Sequence, residues 1–575
     1  MKRWISLFAC LALVAGLLAA CASEAPVIDE DQPLRVSAMA EQTTADPAVA
    51  VSTGGDTLIY HLYENLMKWE DDGTGIAQLT EGIAQNYTTE ENTDGSMVYT
   101  FTLRSDAVWS DGQPVTANDF VYAWQRLFSL DPFPADLSLL SLVEGYAAAY
   151  QAKDGSLLTG VEATDDQTLV VRLTAPCAYF LSEVCGGAMT MPLREDLVTA
   201  AGWEPGKVTD GAYTLTSLDS TGALLTRSET YYGAETEGPA AIQFSWDSGE
   251  AAYEELTAGE LDFVADLPED VAQTQAEEGT LQVDARASTY ALLMNTKAAP
   301  FDNEFVRQAF AAAIDRDALV EAACSVTDTA ATGFVPHGIT NRNDQWDGST
   351  DSGSTDDGTV TPDDLLEESQ EEETTVWDYR TVGDAEAPQE EMTESERTST
   401  AQDLMSQAGY PGGKNLPAVT FLYENTEKNQ AVAEYLQQQW QTVLNVTVQL
   451  QPCTQEELKD AMLNGEYTMG AFQFEASYDD ATAFLRRWRS TVANWAGNLI
   501  NYSDTAYDLL IYAAEITASN AGREACLHDA EELLLNSCGV VPLYYGGAAS
   551  QLADGLTGVY RNALGVYFFG NVTQS

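Results

Sequence analysis

The stretch Tyr99-Thr-Phe-Thr-Leu-Arg-Ser-Asp-Ala-Val-Trp-Ser-Asp-Gly-Gln-Pro-Val-Thr-Ala-Asn-Asp-Phe-Val-Tyr-Ala-Trp-Gln-Arg-Leu127 decides the fold. Tyr99, Phe101 and Leu103 alternate with polar residues, which is the period of a strand with one buried face. Asp111-Gly112 marks a turn, because glycine accepts the left-handed backbone that tight turns need. Thr116 followed by Asp119 reads as a capping residue with an acidic first turn, and predicts a helix from there to Leu127.

Outward from this stretch the chain alternates short strands with amphipathic helices. Leu34 to Ala40 is a strand candidate. After a polar loop containing Gly54-Gly55-Asp56, the apolar residues Leu58, Ile59, Leu62, Tyr63 and Leu66 fall at helical spacing. The 575 residues exceed one ordinary core, and 45% hydrophobic with 10% aromatic content is globular composition. A formal net charge of −64 repels polyanions, so nucleic acid is a poor partner. No fixed repeat period is present.

The N-terminus carries an address. Lys2 and Arg3 precede an apolar run from Trp4 to Ala20, and Leu18-Ala19-Ala20 places small residues before Cys21. This reads as a signal peptide rather than a membrane-spanning helix. It resembles a bacterial lipoprotein signal, which implies acylation of Cys21 as a membrane anchor and a tether over 22–33. Of the six remaining cysteines none forms a CxxC, so neither a zinc site nor a redox pair is indicated, and free buried thiols are expected. Between Asn341 and Thr400 lie 19 acidic and three basic side chains with few aliphatics, an acidic low-complexity insertion. Asn343, Gln345, Asp347 and Gly348 have the look of a calcium loop, but its twelfth position is Ser354 rather than a bidentate glutamate.

Catalytic signatures are missing. His61, His337 and His528 are the only histidines and none lies in an HExxH or a Cys-His arrangement. There is no GxSxG elbow and no P-loop. The reading is a binding protein, with no enzyme activity, no metal and no cofactor. Capture of a peptide needs an acid for its amine, extended backbone to pair with, and roomy pockets that aromatic residues line.

The run from Tyr99 to Leu127 resembles the signature of the extracellular solute-binding proteins of the oligopeptide, dipeptide and nickel class, family 5, which serve ATP-driven importers. The same order continues in Asp210-Gly-Ala-Tyr-Thr-Leu215 and in Leu224 to Gly233, where Ser228 replaces an asparagine. It runs on through Tyr290 to Asn295, Pro300-Phe301, Val306-Arg307, Ile314 to Asp317, Thr332 to Gly338, Leu404 to Tyr410, and Val540 to Tyr545. The resemblance implies an α/β fold, a two-lobed periplasmic-binding-protein-like clamshell with an additional domain in the N-terminal half. By position lobe I takes 34–75, 206–289 and 540–575, the extra domain 76–205, and lobe II 290–539. It also implies a monomer on the extracytoplasmic face of the cell membrane, partnered by an ABC permease and its ATPase.

The expected binding stretch is Phe472 to Leu485, a strand end, a carboxylate-rich turn and the start of a helix. Peptide-binding members hold the peptide amine with an aspartate in a run resembling Trp-x-Ala-Asp-Tyr. Here Phe474-Glu-Ala-Ser-Tyr478 puts Ser477 at that place. Either Glu475, Asp479 or Asp480 replaces the acid, or the ligand lacks a free amine and is an oligosaccharide, opine or metal chelate. The candidate ligand-binding residues are Asp56, Tyr290, Phe474, Glu475, Ser477, Tyr478, Asp479, Trp495, Tyr544 and Tyr545. The aromatic ones can equally be core. A ligand-sensing lipoprotein without a transport role shares all these features.

Overall fold

The computed structural model describes residues 32–574 except 52–53, 74, 76, 134–136, 178, 234–237, 344–380, 383–389, 392, 492–497 and 518–519. The lipoprotein signal with Cys21, Trp495 and most of the acidic insertion therefore lie outside the described residues. Three sheets organise the rest.

The 99–127 stretch behaves as its pattern predicts. Strand Met97–Leu103 buries Tyr99, Phe101 and Leu103 and is central in a four-stranded antiparallel sheet with Ala84–Glu91, Thr168–Leu173 and Val161–Asp165. Gly112 sits at φ +83° while Asp111 accepts a hydrogen bond from the Gln113 N–H at 3.1 Å. Helix Ala117–Leu127 starts where the Asp119 carboxylate takes the Thr116 N–H at 2.8 Å, and it buries Phe120, Trp124 and Leu127. Arg126 on this helix reaches the buried Asp46, tying the small sheet's layer to the N-terminal lobe.

That lobe is a six-stranded sheet in the order Gln551–Leu552, Phe263–Val264, Leu34–Ser37, Ala241–Ser245, Gly222–Arg227 and Tyr213–Asp219, parallel at its centre. The second lobe has Thr329–Ala330, Val540–Ala549, Val283–Met294, Met469–Glu475, Val419–Glu424 and Val448–Cys453. The chain passes between the lobes on two adjacent antiparallel strands. Val283–Met294 pairs with Val540–Ala549 along its length, with register shifts between Ala285 and Thr289 and between Tyr290 and Ala291, and Gln551–Leu552 follows directly in the first sheet. Burial tracks the passage: Val283 is exposed, while Ala291 to Met294 are sealed in the second lobe's core. The six described cysteines after Cys21 are free, and Cys177, Cys185, Cys526 and Cys538 are buried.

One helix is shorter than its spacing suggests. Helix Asp56–Leu62 ends before Tyr63, whose backbone is extended at φ −130°, so Tyr63 and Leu66 are buried without being helical. Tertiary bonds stop the helix. The Asn65 amide donates to Gly187 O at 2.7 Å and Thr190 Oγ1 at 3.0 Å, and Met67 N–H donates to Cys185 O at 2.8 Å. The apolar face continues into a strand, and period alone cannot tell the two apart.

Candidate functional site

The site is built where strand Met469–Glu475 runs off the second sheet beside the crossing strand. Its last pairs are Thr289 with Phe474 and Ser288 with Glu475, after which Ala476 N–H donates to Ala287 O at 2.8 Å. The chain then turns through 476–481 into helix Thr482–Leu485.

Environment divides the acids of this turn. Asp480 is 2% exposed and receives both Arg523 guanidinium nitrogens, at 2.8 and 2.6 Å. It also accepts from the Asn341 amide at 2.9 Å and, two residues on, from the Thr482 N–H at 2.9 Å, which fixes the turn ahead of the short helix. Its acceptor capacity is spent within the protein. Asp479 takes the Thr340 N–H at 2.8 Å and hydroxyl at 3.0 Å, and burial raises its carboxyl above the ordinary value. Glu475 and Ser477 are exposed.

The turn meets the N-terminal half directly. The Tyr478 ring packs on Tyr179 with centroids 4.8 Å apart, and the Asp479 N–H donates to the Glu183 carboxylate at 2.9 Å. Burial pushes Glu183 up to about 8, and the carboxylates of Asp479 and Asp480 push in the same direction. Tyr60 lies close to both Glu183 and Asp56 and donates to Gly186 O at 3.0 Å. Asp56 opens its helix, where burial raises it to about 6. The structure thus gathers Asp56, Tyr478 and Asp479 with Tyr60, Tyr179 and Glu183 along one seam between the two halves.

The other aromatic candidates are distributed differently. Tyr290 and Tyr544 stack at 5.0 Å on one face of the second sheet, where Lys428 sits 4.5 Å over the Tyr544 ring. Phe474 points to the opposite side and packs edge-on against Phe334 and Trp488. Tyr545 receives the Gly333 N–H on its hydroxyl at 2.7 Å, and its ring meets His337. Glu531, 1% exposed, fixes the same loop by accepting the Phe334 and Val335 N–H groups at 2.6 and 2.9 Å.

Glu183, Tyr179, Tyr60 and Arg523 escaped the sequence reading. A usable signal existed for one of them: Glu183 is a lone acid within Phe180-Leu-Ser-Glu-Val-Cys185, and a charge in such a run is rarely buried without purpose. A cavity of about 720 Å³ at the base of the crossing strands shares no residue with this seam. Of the two acids that line it, Asp284 and Asp554, Asp284 is already satisfied by Ser550, Tyr567 and Arg561. Among the described residues no cluster of three or more His, Cys, Asp or Glu side chains is placed to hold a metal, and no helix is long and apolar enough to cross a membrane.

Comparison with known proteins accounts for this architecture. The Escherichia coli periplasmic murein peptide-binding protein MppA is 27% identical over 556 residues, spanning 95% of this chain and 94% of that protein. The dipeptide-binding protein DppE of Bacillus subtilis is 26% identical over 91% of this chain and 89% of its own length. Among solved structures, the unliganded open form of MppA superposes with a TM-score of 0.77 at 24% identity, covering 96% of this chain and 99% of that one. Haemophilus influenzae OppA in complex with the peptide RPPGFSPFR gives 0.65 at 24% identity, with 95% and 99% covered. Residues 78–495 match the family model of bacterial extracellular solute-binding proteins, family 5 Middle. The two lobes, the paired crossing strands and the turn between the halves are therefore those of a non-enzymatic extracytoplasmic binding protein, and the chain belongs to the bacterial extracellular solute-binding proteins of family 5.

Proposed function

We propose that the protein captures oligopeptides between its two halves and delivers them to an ATP-driven importer, held at the outer face of the membrane through acylated Cys21. The observation that carries this reading is the near full-length match to relatives named for peptide binding. The geometry agrees with it. Two lobes joined by paired strands can shift between open and closed arrangements, and a ligand that touches both lobes draws them together. The permease and its ATPase then read the liganded form.

Glu475 is the acid we assign to the ligand's amine. Asp480 is committed to Arg523 and Asp479 to Thr340, whereas Glu475 is exposed at the end of the strand that Ser477 follows. Phe474 and Tyr545 support the walls behind it, and Tyr478 presents its ring at the seam. A second reading has one observation in its favour. An Escherichia coli relative 25% identical over 525 residues is named a probable deoxycholate-binding protein, so a ligand without a free amine is compatible with this fold.

Native mass spectrometry of the protein as purified separates the two. A ladder of peptide masses on the intact protein supports oligopeptide capture, and a single non-peptide adduct sinks it. Uptake of the identified solute by cells lacking the protein tests the importer assignment. Unchanged uptake would leave a sensor rather than a transport component.

A further inference from the structure

Within the seam, Glu183 stands out as a buried acid whose backbone partner lies in the other half. It lies on the N-terminal side, and its one oxygen with a defined backbone partner accepts the N–H of Asp479 across the seam at 2.9 Å. The residue is 7% exposed. The groups that face it are acids and neutral donors: Asp479 and Asp480 from the turn, Ser182 beside it in sequence, and Tyr60, itself near Asp56, from the helix behind. The nearby cations are otherwise engaged. Arg523 is bound to Asp480, and Arg486 lies against Tyr179, Tyr478 and Glu515.

We propose that Glu183 and the Asp479 backbone form a proton-operated latch between the two halves, engaged when the Glu183 carboxyl is neutral and released when it ionises. A neutral carboxyl keeps its carbonyl oxygen as acceptor for the Asp479 N–H and tolerates burial beside two further acids. Ionisation strengthens the bond from the Asp479 N–H, but in the same place it meets desolvation and like-charge repulsion together; these outweigh the stronger bond, and separating the halves relieves both.

The direction follows from linkage. The carboxyl is held up to about 8 with the contact made, against an ordinary 4.5 once it is broken. The engaged form therefore binds the proton more tightly. The ratio of engaged to released forms falls about tenfold per pH unit as pH rises from about 4.5 to about 8, and is flat on either side. The latch acts in the ligand-free protein and stands whichever solute the cleft takes, so its failure and the failure of oligopeptide capture are separate results.

Hydrogen–deuterium exchange of the full chain reads it, with amide protection over 476–482 corrected for the intrinsic rate at each pH from 5 to 9.5. Protection in the wild type is expected to fall progressively between pH 5 and 8 and to level above. Glu183→Gln, which keeps the acceptor oxygen and cannot ionise, is expected to hold high protection throughout. Asp479→Asn removes a neighbouring acid and is expected to pull the upper edge of the transition to lower pH. Protection that is independent of pH in the wild type overturns the latch. So does a Glu183→Gln profile that follows the wild type, or an Asp479→Asn profile with its upper edge unmoved.

Discussion

The buried Asp480–Arg523 pair offers the sharpest test of how the turn is held. Both side chains are almost fully buried, at 2% and 4% exposure, and they meet through two guanidinium nitrogens at 2.8 and 2.6 Å. Removing one partner of such a pair costs about 3–5 kcal/mol, because the other is left as an uncompensated buried charge. The two partners are not equivalent. Asp480→Asn strands an arginine left with no acid to meet, whereas Arg523→Met leaves an acid that still has Asn341 and Thr482 as donors. Asp480→Asn is therefore expected to cost the full 3–5 kcal/mol at any pH between 5 and 8. Arg523→Met is expected to cost less than Asp480→Asn, because the donors from Asn341 and Thr482 remain. Combining Asp480→Asn with Arg523→Met removes both charges and is expected to cost about 2–3 kcal/mol less than the sum of the two single changes, which is the coupling energy of the pair. Urea unfolding followed through the buried Trp488, which packs on Phe334 and Phe474 beside this turn, measures each variant. Additive single substitutions, with coupling below about 0.5 kcal/mol, would refute the view that this ion pair holds the turn as a unit.

Two further outcomes follow from named groups. Glu475→Gln is expected to weaken free-amine peptides about tenfold or more, the scale of a lost charge-assisted hydrogen bond, and to leave acetylated peptides nearly unchanged in calorimetric titrations; equal losses on both remove Glu475 as the amine partner. His61 donates from Nδ1 to Thr57 O at 2.6 Å and accepts the Phe569 N–H at 3.0 Å, and burial lowers it to about 4 from 6.5. Its folded value lies below the unfolded one, so stability is lost as pH falls from 6.5 towards 4, by about 3 kcal/mol in total, and the destabilisation caused by His61→Phe should shrink by about 2 kcal/mol between pH 7 and pH 5.

Where a feature depended on neighbours in sequence, it was legible. The strand, turn and helix of 99–127 follow from alternation, a glycine after an aspartate, and a threonine three residues before an acid. Each of these operates within a few residues of chain. Where the deciding contact came from elsewhere, the reading stopped short. The periodic face from Leu58 to Leu66 continued past the helix because nothing local reports that Asn65 bonds to Gly187 and Thr190. Phe474 and Tyr478 both looked fit to line a pocket. Pairing of Phe474 with Thr289 turns it towards Phe334 and Trp488, while Tyr478, beyond the last pair, is free to meet Tyr179.

The acids around the turn make the same point in chemical terms. Glu475, Asp479, Asp480 and Glu183 are interchangeable in a sequence as carboxylates near or far from a predicted strand end. The fold gives each a different state. Glu475 faces solvent, Asp479 is occupied by Thr340, Asp480 is paired with Arg523, and Glu183 is buried with no ion-pair partner among the described residues. What separates them is the donor that each one meets, at distances along the chain of 139 residues for Thr340, 43 for Arg523 and 296 for the Asp479 N–H that Glu183 accepts. A carboxylate's role in this family of clefts is thus set by which charges and N–H groups the two halves bring to it. A substitution that removes one donor, such as Arg523→Met, is for that reason expected to loosen the turn around Asp480 without touching Asp480 itself.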